Sequence, residues 1–100
     1  MYHINCITSI DLGSQQDDEK TIEIDFTEWF NLYGYLELHL WHERANGVIY
    51  EASITQNNNI LSWTIGSTDR AVVGEGRYQI IGIYNDLRVK SNIYPTYVRR

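Results

Sequence analysis

Residues 61–80 read Leu61-Ser62-Trp63-Thr64-Ile65-Gly66-Ser67-Thr68-Asp69-Arg70-Ala71-Val72-Val73-Gly74-Glu75-Gly76-Arg77-Tyr78-Gln79-Ile80. Leu61, Trp63 and Ile65 alternate with Ser62, Thr64 and Gly66, the period-two pattern of a strand with one buried face. The interval that follows is polar. Ser67 or Thr68 can cap a single helical turn there and Gly74 can close it. Gly76, one residue, then Tyr78 at a strand start matches the tyrosine corner of Greek-key sandwiches. In that corner the phenol packs inward and its hydroxyl bonds a backbone group upstream.

The same pattern spreads outward in both directions. Ile22, Ile24 and Phe26 alternate with Glu23, Asp25 and Thr27, and Leu36, Leu38 and Leu40 alternate with Glu37, His39 and Trp41. Turn signals separate these runs: the polar stretch 13–18, Asn46-Gly47, Asn57-Asn58 and Asn85-Asp86. Thr27 can cap, and Gly34 can end, one helical turn between two strands. Trp29, Tyr33, Leu36 and Leu40 also recur at helical spacing, but Gly34 interrupts that stripe and Leu38 falls off it. The pattern predicts strands near 2–9, 20–27, 34–43, 47–56, 59–66, 77–84 and 87–98. The expected fold is all-β, an antiparallel immunoglobulin-like sandwich of about seven strands, with a small barrel as the runner-up.

Composition narrows the function classes. One hundred residues make one domain over 1–100, and 43% hydrophobic with 21% charged residues is globular. The formal net charge of −5, with scattered Lys and Arg, argues against nucleic acid as a partner. Cys6 is the single cysteine, so no intrachain disulfide forms. No apolar run is long enough for a transmembrane helix, and Met1–Asn5 lacks a signal-peptide pattern. No membrane partner is expected.

The search for chemistry yields little. His39 and His42 point to opposite faces of a strand, which does not suit a shared metal, so His3, His39 and His42 read as structural or surface residues. Glu23 and Asp25 share a strand face but have no cleft to work across. No nucleophile elbow occurs, Cys6 lies in an apolar strand context, and Gly74-Glu75-Gly76 lacks the third glycine of a nucleotide loop. No catalytic, cofactor-binding or metal residue is expected. A small hydrolase would need a cleft that nothing supplies.

Aromatic residues are more informative. The chain carries eight Tyr, three Trp and two Phe, more than one small core needs. If Leu36, Leu38 and Leu40 point inward, then Tyr35, Glu37, His39 and Trp41 form one outward row. That row suits an assembly interface, a sugar platform, or a face covered by a loop. Pro95 marks the last strand as an edge, at least locally, and Tyr94 and Tyr97 flank it as further interface candidates.

The residues 61–80, followed by Leu87-Arg88-Val89-Lys90-Ser91-Asn92-Ile93-Tyr94, resemble small domains in tail and baseplate-associated structural proteins of phages and prophages of Gram-positive bacteria. The shared features are a buried Trp (Trp63), the step Thr68-Asp69-Arg70-Ala71, Gly74-Glu75-Gly76 before a strand, and Val89-Lys90-Ser91 on the final strand. Thr21–Trp29 with Tyr33-Gly34 fits as well, so the resemblance spans roughly 20–98; the loop Asn57-Asn58-Asn59 departs from it. It implies an N-terminal module that anchors a longer fibre or receptor-binding protein to the virion, made in the bacterial cytoplasm. Expected partners are other virion or tail proteins, or further copies of the chain; the alternative is a carbohydrate-binding module that takes a surface glycan. Trp63, Asp69, Gly74, Gly76 and Tyr78 are expected to be structural. The resemblance implies no cofactor and no catalytic residue.

Overall fold

A computed structural model describes residues 1–100. Ten strands and one helix form two packed sheets. The smaller sheet has the order β1 (Tyr2–His3), β3 (Lys20–Asp25), β7 (Ile60–Ile65), β6 (Ile54–Asn57). The larger has the order β2 (Ile10–Ser14), β10 (Tyr94–Arg99), β8 (Gly74–Tyr84), β4 (Glu37–Glu43), β5 (Ile49–Glu51), with β9 (Leu87–Lys90) also on β8.

The alternation read from the sequence is what builds the core. Ile24, Leu61, Trp63 and Ile65 of the smaller sheet meet Leu38, Leu40, Tyr78 and Ile80 of the larger, all buried. Each such side chain contributes about 1.5–3 kcal/mol by leaving water.

Four expectations need correction. Both sheets are mixed rather than antiparallel, because β1 runs parallel to β3 and β2 parallel to β10. The expected strand 2–9 ends at His3; the segment 4–9 crosses from one sheet to the other, and Ile4 and Ile7 are buried along it. The chain therefore joins each sheet at an edge without a hairpin, so nothing forces antiparallel pairing.

Strand number is the second correction. The expected strand 47–56 divides between the sheets: the Ala52 N–H still bonds Leu40 O, while Ser53 O already accepts from the Thr64 N–H. The expected strand 87–98 divides as well, because β8 is eleven residues long and two shorter strands pair with its two ends. The break falls where Ser91 Oγ accepts the Ile80 N–H at 2.9 Å.

Third, β10 is an edge only locally, at Tyr94 and Pro95; from Thr96 onward it lies between β2 and β8. Its pairing with β2 starts at Thr96, so the proline that lacks an N–H lies just outside that ladder. Fourth, Thr27 does not cap the helix α1 (Thr27–Tyr33). Phe26 occupies that position without a side-chain bond, and Asp25 Oδ1 accepts from both the Thr27 N–H and its hydroxyl. These bonds hold the Asp25 carboxyl below the usual carboxylate range.

Candidate functional site

Two regions of the larger sheet carry polar groups that the packing alone does not explain. They lie on the two faces of β4.

The inner face holds His42, 1% exposed. Its Nδ1 is 2.8 Å from the Tyr50 hydroxyl and its Nε2 is 3.2 Å from Thr96 Oγ1. The Tyr50 hydroxyl donates to Asp69 Oδ1, which also lies 3.6 Å from His42 Nδ1. Because Tyr50 spends its one proton on Asp69, His42 Nδ1–H donates to Tyr50, while Nε2 faces the Thr96 hydroxyl. The other carboxylate oxygen of Asp69 accepts the Gly66 N–H at 3.1 Å. Burial tends to raise the Asp69 carboxyl, but the adjacent His42 ring and the bonds from the Tyr50 hydroxyl and the Gly66 N–H outweigh it, so the group titrates below the ordinary carboxylate range. Burial and the Asp69 charge both push the Tyr50 phenol up.

A hydroxyl, an imidazole and a carboxylate in sequence also describe a nucleophile triad. Here Thr96 is 1% exposed, and no surface hollow is lined by it. The backbone closes over it, because a Cβ on Gly76 would meet Glu43 O at 2.3 Å and Thr96 Oγ1 at 2.8 Å. The network joins three strands and a turn, with His42 and Thr96 buried at its centre.

The remaining structural residues surround it. Trp63 is fully buried, edge-on to His42 at 5.4 Å between centroids, and its indole N–H has no acceptor. Asp69 anchors the turn after β7. Gly74 has φ +126, a backbone angle that side chains disfavour, and it opens β8 rather than closing a helical turn. Tyr78 packs inward as a corner tyrosine would, but its hydroxyl donates to Thr8 O at 2.8 Å, far upstream. It pins the crossing segment 4–9 instead of bracing a nearby corner. Sequence reasoning missed His42, Tyr50 and Thr96 as a unit, since two of them lie on strands whose pairing was not yet known. It also missed buried Arg70, whose guanidinium donates to the carbonyls of Leu12, Asp17 and Asp18 and stitches down the polar stretch 13–18. Cys6 is exposed in a turn, not packed in a strand.

The outer face is open. Glu37, His39 and Trp41 line up on it, and Trp41 is 40% exposed; Tyr35 precedes β4 and its exposed ring packs edge-on against Phe30 and Tyr84 instead. His39 is bracketed by Glu51 on Nδ1 and by Glu37 at 3.3 Å from Nε2. Trp41 separates two shallow hollows. One, of about 260 Å³, is lined by Trp41 with Ile49, Ile93, Glu43, Arg77 and Gln79. The other, of about 230 Å³, is lined by Trp41 with Ile81, Ile83, His39, Glu51 and Arg88. Ile49 is 62% and Ile93 57% exposed. Tyr97 also points outward on this sheet, beside Glu75 in register.

Tyr94 does not belong to this face. It turns inward against Tyr78 at 5.5 Å between centroids and packs on the core. Ile49 was within reach of the sequence: the Asn46-Gly47 turn sets it opposite Glu43, on the same face as Trp41. No group of three or more His, Cys, Asp or Glu side chains could hold a metal ion.

No protein-family model matches the sequence, and no curated protein matches it.

Proposed function

We propose that this chain is a non-enzymatic assembly module of a phage or prophage tail. It is an immunoglobulin-like sandwich that docks to other virion proteins, or to copies of itself, through the outer face of its larger sheet. The observation that carries this reading is the apolar ground around Trp41, continuous through Ile49 and Ile93 on one side and Ile81 and Ile83 on the other. Charged side chains rim it, and a patch of that kind marks an interaction surface.

Strand order supports the immunoglobulin-like part. β1-β3-β7-β6 follows the A-B-E-D order of such domains and β4-β8-β10 the C-F-G order, with β5 added beside β4. The parallel β1–β3 pair and a buried Trp on β7 instead of β4 are the departures. The resemblance over residues 20–98 supports the virion location. A rigid sandwich with a sealed interior suits an anchor, which works by surface and not by cleft.

Light scattering of the purified chain over a wide concentration range tests the reading. A defined assembly that Tyr35→Ser with Trp41→Ser abolishes, without unfolding, supports it. The second reading, a glycan-binding module, draws on the flat Trp41 ring with Gln79, Glu43 and Arg77 around the adjoining hollow. Trp29 and Trp63 are buried, so fluorescence quenching by cell-wall glycans would report on Trp41. Such quenching in a strictly monomeric chain would overturn the assembly reading.

A further inference from the structure

Resting on that reading, we propose that the occupant of this face is a second copy of the same chain. The two copies pack about a two-fold axis that runs parallel to the strands, between β4 and β8.

Segregated charge carries the inference. Glu37 and Glu51 stand on the β4–β5 side, with only His39 between them. Arg88 and Lys90 stand on the opposite side, on β9, exposed and in no ion pair within the chain. The cross-strand pair Glu43–Arg77 neutralises itself, with Arg77 Nη2 2.6 Å from Glu43 Oε1. Of the acids on the basic side, Glu75 lies beyond that pair, past the end of β4, Asp11 on β2 is paired with Arg99, and Asp86 sits in the turn that joins β8 to β9.

Symmetry then selects the arrangement. A two-fold axis along the strands exchanges the two sides, so the acidic side of each copy meets the basic side of the other. An axis across the strands keeps the sides and lays acid on acid, which costs several kcal/mol in a docked interface. The strand-parallel axis also exchanges Ile49 with Ile93, which stand at opposite margins of the hollow beside Trp41. Apolar margins thereby meet, both interfaces are the same patch, and the contact closes at two copies. The strands of both copies run the same way.

Charge reversal tests this on the full 100-residue chain. Glu37→Lys with Glu51→Lys makes both sides basic, and Arg88→Glu with Lys90→Glu makes both acidic. Each pair is expected to weaken self-association by roughly tenfold or more at low salt. All four changes together restore it, because opposite sides again meet. Circular dichroism checks that these surface variants fold. Association that Tyr35→Ser with Trp41→Ser abolishes but charge reversal leaves unchanged would overturn the axis while the docking face stands. A chain that stays monomeric at every concentration, and that cell-wall glycans do not quench, would overturn the second copy and leave a different virion protein as the occupant.

Discussion

His39 and His42 are three residues apart on one strand and live in opposite worlds. His42 is closed off between the sheets, each ring nitrogen matched to a hydroxyl, with a carboxylate behind them. His39 stands between two carboxylates at the rim of an open apolar hollow. The difference shows how a strand divides its labour. On the inner face, away from water, polar groups depend on partners within the protein, so the residues specify the fold. On the outer face water can replace any partner, so the residues are free to specify a contact.

The comparison breaks most sharply at Asp69. Asp69→Ala removes the acceptor for the half-buried Tyr50 hydroxyl and Gly66 N–H. It is expected to lower stability by about 1–3 kcal/mol in chemical denaturation. Acid probes the same site. The folded Asp69 titrates below its unfolded value, so its contribution is whole above about pH 4 and is lost as pH falls through the folded value. Denaturation midpoints should fall on that acid limb, and Asp69→Asn should flatten it. Tyr78→Phe sheds the bond to Thr8 and should cost about 0.5–1.5 kcal/mol. Hydrogen exchange in residues 4–9 should quicken with it. At the small end, His39→Ala should change stability by no more than about 0.5 kcal/mol, as surface positions do. A larger loss there would mean that the outer face also holds the fold.

Much of the frame was legible before any coordinates, and for a physical reason. Alternation reports one buried face per strand, and the Asn-Gly and Asn-Asp steps report hairpins; Asn58 and Asn85 indeed adopt φ of 56° and 52°. The outward row on β4 was legible on the same ground, because one periodicity places Glu37, His39 and Trp41 together; Tyr35, read into the same row, lies before the strand and packs on Phe30 and Tyr84. What escaped depends on pairing between distant segments. The strands 47–56 and 87–98 look continuous by residue type, and only their neighbours show where they change partners. Tyr94 reads as an exposed tyrosine beside a proline until Tyr78 is known to lie beneath it. His42, Tyr50, Asp69 and Thr96 each look ordinary alone and become a unit only when the sheets close.

The pairing of β2 with β10 has a mechanical side. The two strands are neighbours and run parallel, tied by their ladder, by the Gln15 N–H on Arg99 O and by the Arg99–Asp11 ion pair. A pull on the N-terminal side of β2 against the C-terminal side of β10 slides one strand along the other. Every bond in that ladder then bears load at once, as in a lap joint, whereas a hairpin would open bond by bond. The first and last strands of the sheet thus make a fastening that resists tension along the direction in which it would be applied.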